Sequence, residues 1–255
     1  MQNLSLMSIP HIPHVQPGDN LAELLLDALT KADITLQNGD VLAIAQKIIS
    51  KAEGRMVHLN DVVVSTKAET LAAEVLKDPR MVELVLQESD EVSRKKPGVL
   101  VVRHKLGFTS ANAGIDHSNV APGMEDDEVV LLLPVDPDAS AAAIRQAIKD
   151  KLNVEVGVVI TDSHGRPFRL GTVGIAIGVA GLPALWDRRG EKDLYDYELQ
   201  HTDVGVADEI AAAAGLLMGQ AAEGQPVILL RGLNYPPIHG KASDLIRPKE
   251  LDLYR

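Results

Sequence analysis

The order of strand-like and helix-like patterns along the chain constrains the fold more than any other feature. Short runs rich in β-branched and aliphatic residues predict strands, at residues 41–49, 62–64, 99–102, 129–135, 156–161, 172–179 and 227–230. Helical patterns separate several of these runs, but none falls between residues 99 and 135. Because a strict strand–helix alternation is missing, the order favours an α+β fold of mixed sheets with packed helices over a doubly wound parallel sheet.

Five segments show the helical spacing of apolar residues. Asp19 is the candidate N-cap of the first, and Asp203 is the candidate N-cap of the most regular one, which Gly219 ends. The predicted helices cover residues 21–29, 68–76, 80–92, 140–152 and 204–217.

Composition marks no clear linker between domains. The charged turn at residues 94–98 is the best boundary candidate, and we interpret it as a surface turn. Residues 1–233 are therefore predicted to form one domain, or two subdomains that share a core. Residues 234–255 form a Pro-rich, polar C-terminal tail that either docks on the domain or is loose.

The charge and the cysteine content exclude several classes of function. The 255 residues contain no cysteine, which excludes disulfides, thiolate metal sites and thiol catalysis. The net charge of −11 is unsuited to nonspecific nucleic-acid binding, which depends on basic surface. The most apolar stretch, 173–186, contains Gly and Pro and is shorter than the roughly 18–20 residues that span a bilayer. We expect a cytoplasmic protein without a membrane or nucleic-acid partner.

Two polar segments suit the binding of ions or anions. Residues 50–55 (SKAEGR) follow a predicted strand and either present two cations to an anion or form a charged turn. Residues 112–119 (NAGIDHSN) are rich in oxygen donors, which suit Mg²⁺ or Mn²⁺, and are equally compatible with a hydrogen-bonded turn.

A third segment places polar residues at the carboxyl end of a buried strand. Thr161, Asp162 and Ser163 follow the apolar residues 158–160, where ligand crevices form in α/β sheets. Arg166 and Arg169 are candidate clamps for a phosphate or carboxylate, or else solvated side chains. A fourth segment, 218–226, contains two glycines that permit close approach of a ligand, although a plain helix end explains it as well.

The histidines show no metal-binding pattern. No pair has the i, i+4 spacing of a helical zinc site. His117 and His164 lie in predicted polar loops. The remaining histidines without a local signal are interpreted as ordinary surface or satisfied residues, and they are His58, His104, His201 and His239.

Five motifs together resemble the coenzyme F420-0:gamma-glutamyl ligase family in order and spacing. They are residues 50–55 (SKAEGR), 112–119 (NAGIDHSN), 160–166 (ITDSHGR), 206–211 (VADEIA) and 231–233 (RGL). The resemblance covers residues 9–233. It implies a GTP-dependent enzyme that joins L-glutamate to the lactyl carboxylate of coenzyme F420-0, with an unusual α+β fold. It also implies an intertwined homodimer, two Mg²⁺ or Mn²⁺ sites and a requirement for K⁺.

The resemblance also implies roles for individual residues. Asp116 and Asp162 hold the first metal, and Ser163 and Gln220 hold the second; Ser163 stands where the family often has Thr, and Gln220 where some members have Glu. The implied GTP contacts are Ile12, Pro13, His14, Val15, Gln46, Lys47, Lys51, Asn119, Met218, Gly219, Gln220, Ala221, Ala222, Glu223, Gly224 and Gln225.

Phosphoryl transfer followed by acyl transfer is the mechanism that these roles imply. Asp116, Asp162 and Lys51 would be the catalytic residues, and Arg166 or Arg169 would receive the substrate phosphodiester or glutamate. Two alternatives stay open from the sequence. One is an amide ligase of the same family that acts on another acid or nucleotide. The other is a metal-dependent nucleotide phosphohydrolase or a nucleotide-binding regulator.

Overall fold

Helices and strands of the chain form several sheets with helices packed against them. The computed structural model describes residues 3–120 and 128–252. The strands are β1 Ser5–Ser8, β2 Val41–Ala45, β3 Met56–His58, β4 Ser89–Lys96, β5 Val99–His104, β6 Thr109–Ala111, β7 Val129–Leu131, β8 Gly157–Arg166, β9 Arg169–Ala180, β10 Trp186–Asp187, β11 Asp203–Val204 and β12 Val227–Arg231. The α-helices are α1 Leu21–Lys31, α2 Gln46–Ala52, α3 Thr66–Val75, α4 Pro79–Gln87, α5 Pro137–Leu152 and α6 Val206–Met218.

A five-stranded sheet lies at the centre, in the order β1-β12-β2-β8-β9. Strands β2 and β8 are parallel, and the other neighbours in this sheet are antiparallel. Smaller sheets are formed by β4-β5-β6, β3-β7 and β10-β11. This mixed architecture of sheets and helices confirms the α+β prediction in its general form.

Side chains along the central strands point alternately into two separate cores. Leu42 and Ile44 of β2 pack in one core with residues of α1 and α5, whereas Val41 and Ala43 pack in the other with residues of α6. Successive side chains of a strand point to opposite faces, so the central sheet has a core on each face. A third core lies among α3, α4 and β5.

The described part of the C-terminal tail lies against the rest of the chain. The backbone N–H of Ala242 donates to the Asp138 carboxylate, and the N–H of Gly240 donates to the carbonyl of Leu182. Lys249 forms an ion pair of 3.2 Å with Glu91 of β4. None of the helices within residues 3–120 and 128–252 is long and apolar enough to cross a membrane.

Three of the strand predictions need correction. The strand predicted at 41–49 ends at Ala45, and residues from Gln46 form α2. Buried Gln46, Ile49 and Ser50 follow the helical i, i+3, i+4 spacing. Residues 62–64 are not a strand, and Val63 is 87% exposed. The strand predicted at 129–135 ends at Leu131.

The end of one predicted helix and two predicted N-caps also change. The helix predicted at 80–92 ends at Gln87, because residues from Ser89 pair with β5. Residues 94–98 are the end of β4 and its turn into β5, so the interpretation as a turn is confirmed at residues 97–98. Asn20 rather than Asp19 caps α1, and Gly205 rather than Asp203 is the N-cap of α6. Gly219 follows the end of α6, as predicted.

His104 is buried rather than an ordinary surface residue. It is 2% exposed at the end of β5, and its Nε2 has no hydrogen-bond partner among the described residues. Its Nδ1 accepts the N–H of Leu106 at 2.9 Å. Burial lowers the pKa of His104 to about 4, and the charge of Arg55 adds to this effect.

We predict that the buried imidazole of His104 makes folding sensitive to acid. The unfolded chain binds a proton at this group below a pH of about 6.5, whereas the folded chain does so only near pH 4. The free energy of unfolding is therefore unaffected by this group above pH 6.5, and it decreases as the pH falls toward 4. The loss is on the order of 3 kcal/mol. Urea unfolding of His104→Phe between pH 7 and about 4 should show a shallower decline than wild type.

Exposed His58 supplies the control for that measurement. His58→Phe should keep the wild-type slope. An unchanged slope in His104→Phe would contradict the prediction, whatever its stability at pH 7.

We also predict that Gly178 is required for α5 to pack on β9. A β-carbon at Gly178 would lie 2.5 Å from the carbonyl oxygen of Pro137, whereas one at Gly165 would have no atom within 4 Å. Gly178→Ala should therefore destabilise the protein by about 1–3 kcal/mol through overpacking. Gly165→Ala should change stability by less than about 0.5 kcal/mol. Thermal unfolding of the two variants tests this, and equal midpoints would show that the backbone shifts freely.

Candidate functional site

A cleft of about 610 Å³ opens at the carboxyl end of β2, beside the middle of β8 rather than at the end of that strand. The register pairs Ala45, the last residue of β2, with Thr161 of β8. Strand β8 continues for five residues beyond this point, so its edge is no longer covered by β2 from Asp162 onward. The cleft lies at this uncovered edge, which is where α/β sheets commonly bind ligands.

The residues predicted to form the site come from distant parts of the sequence and meet in this cleft. Of these residues, all except Glu223 line it, and they are Ile12, Pro13, His14, Val15, Gln46, Lys47, Lys51, Asp116, Asn119, Asp162, Ser163, Met218, Gly219, Gln220, Ala221, Ala222, Gly224 and Gln225. Glu223 instead accepts the N–H of Ala221 at 2.8 Å, so its carboxylate shapes the loop after α6. The roles of these residues remain predictions.

Asp116 is fixed in position by backbone and side-chain contacts. Its N–H and C=O both bond to Leu131 of β7. Its Oδ2 accepts the Gln46 amide at 2.9 Å and lies 3.4 Å from the Lys47 ammonium. The Gln46 side chain is 1% exposed, and its Oε1 accepts the hydroxyl of Ser50 at 2.9 Å, which fixes the orientation of the amide.

The two carboxylates lie close enough to influence each other. Burial raises the pKa of Asp116, and the negative charge of Asp162 adds to this rise, whereas the Lys47 ammonium opposes it. A cation between the two carboxylates would remove the repulsion. Their arrangement is therefore chemically suited to binding a positive ion.

Two adjacent residues of β8 face opposite sides of the sheet. Asp162 contacts His164, two positions along the same strand and therefore on the same face. Ser163 lies opposite Gly174 of β9, on the face that α6 covers. A β-carbon at Gly174 would lie 2.4 Å from the carbonyl oxygen of Ala211, so glycine permits α6 to approach this closely. The two predicted metal positions thus lie on opposite faces of one strand.

Helix α2 supplies the cations of the cleft. The sequence had instead suggested that these cations follow the end of a strand. The Lys47 ammonium donates to the carbonyl and hydroxyl of Ser118 at 2.9 and 3.0 Å. Lys51 donates to the carbonyl of Asn119 at 2.7 Å. Burial lowers the pKa of Lys51, and the nearby charge of Lys47 lowers it further. One turn of helix therefore directs both ammonium groups toward residues 118–119.

The same loop contacts the glycine-containing segment that follows α6. Asn119 donates its side-chain amide to the carbonyl of Ala221 at 2.9 Å. Gly219 and Gly224 have φ angles of +71° and +65°, which favour glycine. Asn119 and the segment 218–225 are therefore neighbouring parts of the cleft lining.

Arg166 and Arg169 do not line the cleft. Their backbones are register partners at the end of the β8–β9 hairpin. The Arg166 guanidinium donates to the carbonyl of Leu170 at 2.9 Å. The hairpin carries them past the carboxylates, so the structure does not bring either arginine to the site.

The donors in the cleft fit a hard divalent cation. Within residues 3–120 and 128–252, no three His, Cys, Asp or Glu side chains form a metal cluster. The predicted metal ligands in the cleft are two carboxylates, the Ser163 hydroxyl and the Gln220 amide. Mg²⁺ commonly takes one or two carboxylates and completes its coordination with water and substrate phosphates, so this sparse set fits it.

Sequence reasoning missed three residues that support the site. Ser50 and Ser118 fall inside the quoted motifs, but only the fold shows that they bond Gln46 and Lys47. His164 was placed in a polar loop, whereas it is buried in β8 beside Asp162. The spacing of Asp162 and His164 in a strand was the signal that could have paired them.

Comparison with known proteins agrees with the resemblance seen in the motifs. The family model described as F420-0:Gamma-glutamyl ligase matches residues 10–232. The Coenzyme F420:L-glutamate ligase of Methanothermobacter thermautotrophicus is 45% identical over 99% of both chains. That of Methanopyrus kandleri is 43% identical over 100% of this chain and 99% of its own. That of Methanocaldococcus jannaschii is 44% identical over 92% of this chain and 90% of its own.

The family model matches most of the chain, and these relatives are similar over nearly their whole length. Both comparisons show the same family. The chain belongs to the F420-0:gamma-glutamyl ligase family.

Proposed function

We propose that the protein is a GTP-dependent ligase that adds L-glutamate to the lactyl carboxylate of coenzyme F420-0. The observation that carries the proposal is the meeting of two carboxylates, two lysines and a glycine-containing loop in one cleft. The named activity of the relatives supplies glutamate and the coenzyme as substrates. The resemblance in the motifs supplies GTP, two divalent-metal sites, K⁺ and a homodimer.

The chemistry requires activation of the acid before the amide bond forms. A carboxylate is a poor electrophile, because its oxygen is a poor leaving group. An oxygen of the lactyl carboxylate attacks the γ-phosphorus of GTP, GDP leaves, and an acyl phosphate forms. The amine of glutamate then attacks the acyl carbon, inorganic phosphate leaves, and the nitrogen loses a proton.

The residues of the cleft suit this sequence of steps. Asp116 and Asp162 would hold one divalent cation, and Ser163 and Gln220 the other. When bound, such cations neutralise phosphate charge and align the groups for in-line transfer. Lys47 and Lys51 of α2 line the same cleft and provide positive charge. Gly219 and Gly224 would let backbone N–H groups approach the phosphates.

The homodimer is the part of the proposal that rests only on the resemblance in the motifs. Light scattering on the purified chain should give twice the monomer mass, and a monomer at micromolar concentration would contradict this part of the proposal.

One experiment separates the proposed ligase from a nucleotide phosphohydrolase. The purified chain is incubated with coenzyme F420-0, L-glutamate, GTP, Mn²⁺ and K⁺, and the products are analysed by mass spectrometry. A glutamylated coenzyme together with glutamate-dependent GDP release is expected. GDP release that is independent of glutamate, without a new amide, would establish a phosphohydrolase instead. Replacing the coenzyme by other acids tests the choice of acid.

We predict that Asp116→Ala and Asp162→Ala each reduce the ligation rate by at least about 100-fold, because each removes electrostatic stabilisation of the transferring phosphoryl group. Circular dichroism should show a folded protein in both cases. Asp27→Ala, on the exposed side of α1, is the matched control and should retain full activity. A near-normal rate in either cleft variant would show that the substituted carboxylate is not a metal ligand.

We predict that Lys51→Ala weakens GTP binding roughly 10- to 100-fold, which is the value of a lost charge-assisted hydrogen bond. The KM for glutamate should change far less. Calorimetric titration with GTP measures the effect, and Lys31→Ala at the end of α1 serves as the control. Equal GTP affinity in wild type and Lys51→Ala would show that Lys51 does not bind GTP and only donates a hydrogen bond to Asn119.

A further inference from the structure

We propose that His164 is a positioning residue for Asp162, and that Phe108 in the turn between β5 and β6 holds His164 in place. This inference rests on the proposed function, in which Asp162 is a metal ligand. It assigns a role to a histidine outside the predicted ligand set.

The contact between the two side chains is short and shielded from water. His164 Nε2 lies 2.8 Å from Asp162 Oδ2, and the two side chains are 9% and 10% exposed. A carboxylate accepts hydrogen bonds, so His164 carries its proton on Nε2 and donates it. This bond engages Oδ2 of a side chain that lines the cleft, so Oδ1 is the oxygen that would bind a cation there.

The imidazole of His164 is itself held by an aromatic stack. The ring of Phe108 meets it edge-on, with centroids 5.0 Å apart. On its other side Phe108 is stacked on the buried His104 at 5.3 Å and 9°. The N–H of Leu106 bonds to His104 Nδ1 and closes the turn. Aromatic packing of this kind restricts the rotation of a side chain, so the position of His164 is set by residues 104–108.

Asp116 has an equivalent support on the other side of the cleft. The buried Gln46 amide donates to Asp116 Oδ2, and Ser50 fixes the amide. Each carboxylate therefore has one oxygen held by a buried donor. Donors of this type orient metal ligands, and their loss commonly lowers metal affinity or activity about 10- to 100-fold.

Two substitutions separate the hydrogen bond from the packing. His164→Phe keeps a ring beside Phe108 but removes the donor, whereas His164→Gln can place an amide N–H near the position of Nε2. His201→Phe, at an exposed histidine, is the matched control. Mn²⁺ binding to each protein is measured from the loss of the free-ion electron paramagnetic resonance signal, with Mn²⁺ alone as the probe. Ligation kinetics are measured in parallel.

We expect His164→Phe to weaken Mn²⁺ binding about 10- to 100-fold. We also expect it to lower kcat, with the KM for glutamate nearly unchanged. His164→Gln should recover most of both values, and His201→Phe should match wild type. Phe108→Leu should weaken Mn²⁺ binding by a smaller factor, and it replaces His164→Phe if that variant does not fold.

The outcomes distinguish this inference from the proposed function. Weaker Mn²⁺ binding in His164→Phe supports the inference even if no ligation is observed. Wild-type Mn²⁺ binding and kcat in His164→Phe would overturn it while the ligase activity stands. Failure of the wild-type protein to bind Mn²⁺ would also overturn it, as would equal weakening in His164→Gln and His164→Phe.

Discussion

The parallel pairing of β2 with β8, and the point at which it stops, is the constraint on which the site depends. Strand β2 ends at Ala45 opposite Thr161, and the chain turns directly into α2. This single change of direction leaves the edge of β8 uncovered at Asp162 and places Lys47 and Lys51 along the same opening. A strand that continued to residue 49 would instead pair with the backbone of β8 beyond Thr161.

The balance of charge in the cleft differs from that of the whole chain. The protein carries a net charge of −11, yet two lysines accompany the two carboxylates that line the cleft. Lys47 lies beside Asp116 and bonds to Ser118, so positive charge is fixed where an anion would enter. An acidic protein needs such local cations wherever it is to bind an anion, because its overall field repels negative charge.

The turn between β5 and β6 connects the third core to the cleft. Leu100 and Val102 of β5 belong to the core with α3 and α4, while Leu106 and Phe108 pack against the core of the central sheet. Ile246 of the tail lies on the same turn, within 3.4 Å of a β-carbon built at Gly107. A series of contacts therefore runs from β5 to Asp162 through His104, Phe108 and His164.

The sequence alone determined the general α+β class and most helices, whereas its resemblance to a known family supplied most of the residues that meet in the cleft. Its signals were local: apolar periodicity, the glycine after α6, and polar motifs at the ends of apolar runs. It could not separate β2 from α2, because a short apolar run has the same appearance in a strand and in a buried helix. Nor could it bring Gln46 to Asp116, 70 positions away, or bury His104 beneath Phe108. Those contacts depend on how distant segments pack, and only the tertiary structure decides which polar atoms lose water and which partners they then find.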